Sequence, residues 1–204
     1  AFASATLPAL FPAAEGAQAM AGALDRLCQQ AEAAVAANKV LLIISDRGVD
    51  EYNAPIPALL ALGAVHQHLI RLGLRTSVSL IVESGEPREV HHLACLVGMG
   101  AEAVNPYLAL ATVRNLAIER DEVKVKGQEP AEDDRRSPAE LATEAEHKYI
   151  HALEKGLLKI MSKIGIATVD SYCGAQIFET IGLANALVER CFTGTPARLG
   201  GVSF

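Results

Sequence analysis

The sequence predicts an α/β fold: a parallel sheet with covering helices, assembled from βαβ units either as a partial barrel or as a doubly wound sheet. Three observations carry this reading. Apolar runs of strand length, "KVLLIIS", "SVSLIVE" and "AEAVNP", alternate with segments of helical periodicity. Gly, Pro, Asn and Asp punctuate the junctions between them. With 204 residues, half of them apolar, the chain is long enough to bury a core as one domain.

The elements follow in order. "ALDRLCQQAEAAVAAN" sets Leu24, Leu27, Ala31 and Val35 at helical spacing, and Asn38 stops that helix before the strand "KVLLIIS". "DRGVDEYNAPIP" is turn chemistry, and "ALLALGAVHQHLIRLG" is a helix closed by Gly73. After the strand "SVSLIVE", "PREVHHLACLVGMG" reads as a helix with Pro87 in its first turn, Glu86 and Glu89 near its positive end, and Gly98 and Gly100 at its exit. "AEAVNP" is the next strand, and right-handed crossovers make the strands parallel and buried on both faces. Residues 119 to 146 are dense in charge and read as an exposed, partly disordered excursion. Order resumes in "EHKYIHALEKGLLKIMSKIG", where Ile150, Leu153, Leu157, Met161 and Ile164 form a stripe despite Gly156. "IATVDS" then reads as a strand, "AQIFETIGLANALVERCF" as helical material interrupted near Gly182, and "TGTPARLGGVSF" as a loop.

Composition narrows the function classes. A net charge of −6 with no Lys/Arg run argues against nucleic acid and anionic membranes, which both need a basic footprint. No apolar run approaches the roughly 18 residues of a membrane span. Cys28, Cys95, Cys173 and Cys191 form no C-x-x-C pair and read as reduced thiols in a cytoplasmic protein. The start lacks both an initiator Met and a basic leader region, and the end is a Gly-rich turn before Phe204, so a processed or excised chain is expected.

The short motifs do not make a site. Gly98, Gly100 and Ala103 fit a dinucleotide fingerprint, but they close a helix where the fingerprint must open one. His91, His92 and Cys95 share helix faces, without the third and fourth ligands that zinc requires. His66 and His68 diverge, and His147 and His151 lack the intervening general-base glutamate, Lys148 standing in its place. Cys173, at a strand-to-helix turn, has no histidine partner. What remains is positional, because ligands of parallel α/β folds bind beyond the carboxyl ends of the strands. The polar residues expected there are Ser45, Asp46, Arg47, Glu83, Ser84, Asn105, Asp170, Ser171 and Tyr172, which either gather on one ligand-binding face or cap helices and pair with one another.

Several long stretches resemble one family. They are "IISDRGVD", "IPALLALGAVHQHLIRLGLRT", "VESGEPREVHHLACLVGMGAEAVNPYLA", "KGLLKIMSKIGIATVDSYCGAQIFETIGL" and "CFTGTPARLGG". In family order and across nearly the whole chain, they resemble the large subunit of glutamate synthase, in the central region between its amidotransferase and flavin domains. The resemblance implies an oxidoreductase that makes two glutamates from glutamine, 2-oxoglutarate and a reductant. It also implies that the N-terminal cysteine, flavin mononucleotide and 3Fe-4S cluster of the family lie outside this chain, which starts with Ala1 and Phe2 and has no clustered cysteines. The expected catalytic, cofactor and metal residues within the chain are therefore none, and the chain alone is expected to be inactive. Its implied role is to link the amidotransferase and synthase sites and to wall the ammonia path, with other domains or subunits of glutamate synthase as partners. Two alternatives stand beside it: a domain binding an anion or flavin phosphate at the strand ends, and a separate subunit docking on a flavin subunit.

Overall fold

The computed structural model describes residues 2–125 and 137–204. Its centre is a four-stranded parallel sheet of β1 (Ser4–Pro8), β3 (Leu41–Ser45), β5 (Ser79–Glu83) and β6 (Ala103–Asn105), in that spatial order. Strands laid down in sequence order are the pattern of a barrel wall, so the partial barrel is the form taken. Between them run α1 (Gly16–Ala36), α2 (Ala58–Arg71) and α3 (Val90–Gly98), while β2 (Leu10–Pro12) pairs antiparallel with β4 (Asn53–Pro55). Asn38 ends the first crossover in the left-handed region at φ 57°, and Gly73 ends the second at φ 70°.

Strand β1 carries no helix or strand expectation from the sequence because it is short and ends on Pro8. It is an edge strand, where a missing N–H costs no ladder bond, and its register Ser4↔Leu41 to Pro8↔Ser45 is regular. The register also separates the two faces of the sheet. Leu7, Leu42, Ile44, Leu80 and Val82 are buried in one core with Leu24, Leu27, Leu62, Val65 and Leu69 from α1 and α2. The opposite face carries Ser4 and Thr6 of β1, Leu41 and Ile43 of β3, Ser79 and Ile81 of β5, and Ala103 of β6, and none of these belongs to a core cluster. Burial of the strands on both faces is thus corrected: among the described residues the helices α1, α2 and α3 cover one side, as on the outside of a barrel, and no helix covers the other.

A second core lies against α3. Ala94 and Met161 are buried there with Tyr172, together with half-buried Leu157, Ile160 and Phe178. Met161 comes from α5 (Pro138–Ile164), which packs along α4 (Tyr107–Val125) and across α3. The sequence-based start of α5 at 146 is too late. The signal is "SPAE": the Ser137 hydroxyl accepts from the Glu140 N–H and the Glu140 carboxylate accepts from the Ser137 N–H, a capping box with Pro138 in the first turn. Residues 119–125 continue α4, so the flanks of the supposed excursion are helical, and its middle, 126–136, lies outside the described residues. Of the expected stripe, Leu153 and Met161 are buried, whereas Ile150 and Ile164 are exposed. Gly156 serves the packing, since a Cβ there would stand 2.7 Å from Val90 Cγ1.

The last third departs most from its sequence reading. "IATVDS" forms the single turn α6 (Val169–Tyr172), capped by the Thr168 side chain, and not a strand. "AQIFETIGLANALVERCF" contains β7 (Thr180–Leu183) and α7 (Asn185–Cys191), and the expected loop holds β8 (Ala197–Val202), parallel to β7. Glycines interrupt both strands and hide their periodicity. Helix α7 packs on α2 through buried Leu187, Val188, Cys191 and Phe192.

Candidate functional site at the carboxyl ends of the strands

Pro8, Ser45, Glu83 and Asn105 stand in one register row at the carboxyl ends of the four strands. Glu83 is the hub of that row. Its carboxylate accepts from the Ser45 hydroxyl at 2.7 Å and the Asn105 amide at 3.2 Å, and it pairs with Arg47 Nε at 2.8 Å. The hydrogen bond and charge of Arg47 are the largest influence and hold the Glu83 carboxyl below the ordinary carboxylate range, against the effect of desolvation. Asp46, one residue beyond β3, is the second hub. Buried, it accepts from the Ser84 hydroxyl at 2.6 Å, the Gly85 N–H at 3.1 Å and the Tyr107 hydroxyl at 2.8 Å. Desolvation, then the bond to Asp46, pushes the Tyr107 phenol up to about 12. The Arg47 guanidinium lies 4.2 Å over the centroid of the Tyr107 ring and so ties the two hubs together.

The loops after these strands are fixed by the same kind of bond. Ser84 Oγ accepts from the Glu86 N–H, and the Glu86 carboxylate accepts from Ala58 N–H, capping α2 at 2.8 Å. Glu86 and Pro87 therefore precede α3, which starts at Val90, and the expected stabilisation of its first turn by Glu86 is replaced by capping of the neighbouring helix. Beside this network, between the starts of α2 and α3, a surface cavity of about 570 Å³ is lined by Ala58, Leu59, Pro87, His92 and Cys95. Burial pushes the Cys95 thiol up, and His91 Nε2 lies 3.7 Å from its sulfur. No three of the His, Cys, Asp and Glu side chains among the described residues are grouped to hold a metal ion.

Ser45, Asp46, Arg47, Glu83, Ser84 and Asn105 are brought together; Ser171, Tyr172 and Asp170 are not. Tyr172 is buried under α3, donating to the Ala94 carbonyl at 3.2 Å and meeting Phe178 edge-on at a centroid distance of 6.2 Å. Ser171 is engaged in the cap of α6, where its N–H donates to Thr168 Oγ1. They depart from the expected face because "IATVDS" is no strand of the sheet: α6 sits at the carboxyl end of α3, with the Gly174 N–H donating to Gly98 O. Cys173, expected at a helix N-terminus, instead follows α6, and burial raises its thiol pKa.

Two groups escaped the sequence reading. Tyr107 opens α4 just after the strand end Asn105, and "NPYLA" carried the only hint of it. At the opposite end of the sheet, Arg75 donates from Nε to His66 Nδ1 at 2.9 Å, from Nη1 to Val78 O at 2.7 Å and from Nη2 to Gly100 O at 2.8 Å, while pairing with Glu102 at 2.7 Å. Burial, then the charge of Arg75, lowers the His66 pKa to about 4, so the ring is a neutral acceptor. Gly100 passes this clamp at φ 113°, where a Cβ would come within 2.7 Å of His66 Cε1.

With this geometry in view, the comparisons with known proteins are direct. The family model described as the glutamate synthase central domain matches residues 1–184. The large chain of NADPH glutamate synthase from Bacillus subtilis is 48% identical over 179 residues, covering 88% of this chain and 11% of that protein. The ferredoxin-dependent glutamate synthase of Cyanidium caldarium is 42% identical over 197 residues, 95% of this chain and 12% of that protein. This chain thus spans about a tenth of the length of the curated relatives it matches. Among solved structures, a mutant flavocytochrome b2 with benzoylformate superposes with a TM-score of 0.51 at 13% identity, over 72% of this chain and 31% of that one. That likeness is of fold, and it agrees with a wall of parallel strands in sequence order. On the match of sequence across nine-tenths of its length, the chain belongs to the glutamate synthase central domain family.

Proposed function

We propose that the chain is the central scaffold and interdomain module of a glutamate synthase, holding the amidotransferase and synthase sites in register and helping to wall the path of ammonia between them. The observation that carries this reading is the mutual saturation of the strand-end groups. Glu83 and Asp46 have their acceptors filled by Ser45, Asn105, Arg47, Ser84 and Tyr107, so the rim is built to be rigid. A flavin phosphate or another anion would meet two carboxylates there, and the one guanidinium of the row is already held by Glu83. The anion-binding alternative is disfavoured for that reason. Flavin mononucleotide, the 3Fe-4S cluster and the glutaminase cysteine are assigned to other segments of the enzyme. A sheltered path suits ammonia, because in water near neutral pH it is largely protonated and then not nucleophilic.

Two experiments test this. The isolated chain should form no glutamate from glutamine and 2-oxoglutarate, and calorimetric titration with flavin mononucleotide or 2-oxoglutarate should give no binding heat; turnover or saturable heat would overturn the scaffold reading. In the full-length enzyme, loosening the rim by Asp46→Ala should make glutamine consumption exceed 2-oxoglutarate consumption. Unchanged coupling in a folded variant would count against the ammonia-path role.

A further inference from the structure

The uncovered face of the sheet is an unusual surface. Parallel sheets are nearly always buried on both sides, and in closed barrels the inward side chains of opposite strands fill the interior in layers. Here, among the described residues, the inward rows Ser4–Leu41–Ser79 and Thr6–Ile43–Ile81–Ala103 face no opposite wall, because this sheet has four strands. The helix contacts of the sheet come from α1, α2 and α3 on the other side. The face is also without charge between its ends. At the carboxyl rim Arg47 and Glu83 neutralise each other, and at the amino end Arg75 and Glu102 do the same. Beyond that amino end the exposed Phe2 lines a cavity together with Leu41 and Ser79 and with the paired Arg75 and Glu102.

Resting on the scaffold reading above, we infer that this face seats an apolar, uncharged segment of the same glutamate synthase polypeptide, about one helix wide. Four strands span about 14 Å and five residues about 17 Å at ordinary sheet spacings, which accommodates one helix of about 10 Å diameter. The occupant must be uncharged because no charged side chain lies between the two rims to pair with one, and a buried unpaired charge is strongly unfavourable. It must be apolar where it meets Leu41, Ile43 and Ile81, while Ser4, Thr6 and Ser79 offer hydroxyls at the margin of that patch. The same polypeptide is the source because the relatives carry this segment within continuous chains of which it makes up 9 to 12%. An attached segment has a high effective concentration, so a modest apolar contact suffices to hold it.

The test compares the isolated chain with the full-length enzyme. Ile43→Cys and Ile81→Cys are labelled with N-ethylmaleimide and read site by site by mass spectrometry, and hydroxyl-radical footprinting of Leu41, Ile43 and Ile81 repeats the measurement on unmodified protein. Labelling and oxidation are expected to be at least tenfold slower in the full-length enzyme than in the isolated chain, at every protein concentration. Equal rates in the two would overturn the inference, as would protection of the isolated chain that grows with its concentration, the mark of a second copy. A photo-crosslinker attached at Ile81→Cys should capture an apolar peptide of the same polypeptide; capture of a charge-rich peptide would also overturn it. Failure here leaves the glutamine to 2-oxoglutarate coupling intact, whereas failure of the scaffold reading appears in that coupling and not in the labelling.

Discussion

Substituting Gly156 by alanine sets two effects of known size against each other. In an exposed helix interior the change stabilises by about 1 kcal/mol, because alanine loses less backbone freedom on folding. In α5, however, the new methyl would lie 2.7 Å from Val90 Cγ1 and 3.1 Å from Val90 Cβ. Valine is stiff about its first torsion, and Val90 opens α3, so relief requires α5 to move away from α3. Overpacking of this kind costs about 1–3 kcal/mol. The net expectation for Gly156→Ala is a loss of about 1 kcal/mol, or about 2–4 °C in Tm for a chain of this size. The loss should shrink or change sign when the two γ-methyls are removed: in a Val90→Ala background only the Cβ contact at 3.1 Å remains, and Gly156→Ala should be neutral or stabilise by up to about 1 kcal/mol. Urea unfolding of the four proteins closes a double-mutant cycle. Stabilisation by Gly156→Ala alone, or an equal loss in both backgrounds, would refute the seating of α5 on Val90.

Two further perturbations address the two ends of the sheet. Because the folded His66 pKa is about 4, below its unfolded value of 6.5, the unfolded chain binds the extra proton first. Stability is full above pH 6.5 and falls by about 2 kcal/mol as pH drops to about 4, after allowance for the solvent that reaches the ring; His66→Gln, which retains an acceptor for Arg75, should remove that part of the pH dependence in denaturation curves. At the other end, Asp46→Ala leaves the Ser84 and Tyr107 hydroxyls and the Gly85 N–H without their acceptor and should cost about 3 kcal/mol, against about 1 kcal/mol for Tyr107→Phe. Ultraviolet titration should find the Tyr107 phenol ionising near 12, and Asp46→Asn should move it downward.

The legible part of the fold was its first half. "KVLLIIS" and "SVSLIVE" are apolar, bounded by turn residues and followed by helical repeats, so β3, β5 and the crossovers between them emerge from periodicity alone. Six of the strand-end residues also fell where a parallel sheet puts them. Elements whose local pattern conflicts with their final state were not legible. β1 carries a proline, Pro8, that an edge position tolerates, and β7 and β8 are interrupted by glycines.

The sequence by itself determined the parallel α/β class, the family and the polar composition of the strand ends, because strand and helix periods and long matching stretches are local properties of the chain. Tertiary structure alone decided three things: that Glu83 and Asp46 spend their acceptors on one another's neighbours, that Tyr172 lies beneath α3 and away from that rim, and that one face of the sheet is left uncovered by the described residues. Each depends on which residues distant in sequence meet in space, and the closure of a barrel wall is set by how many strands it has, which no single strand encodes.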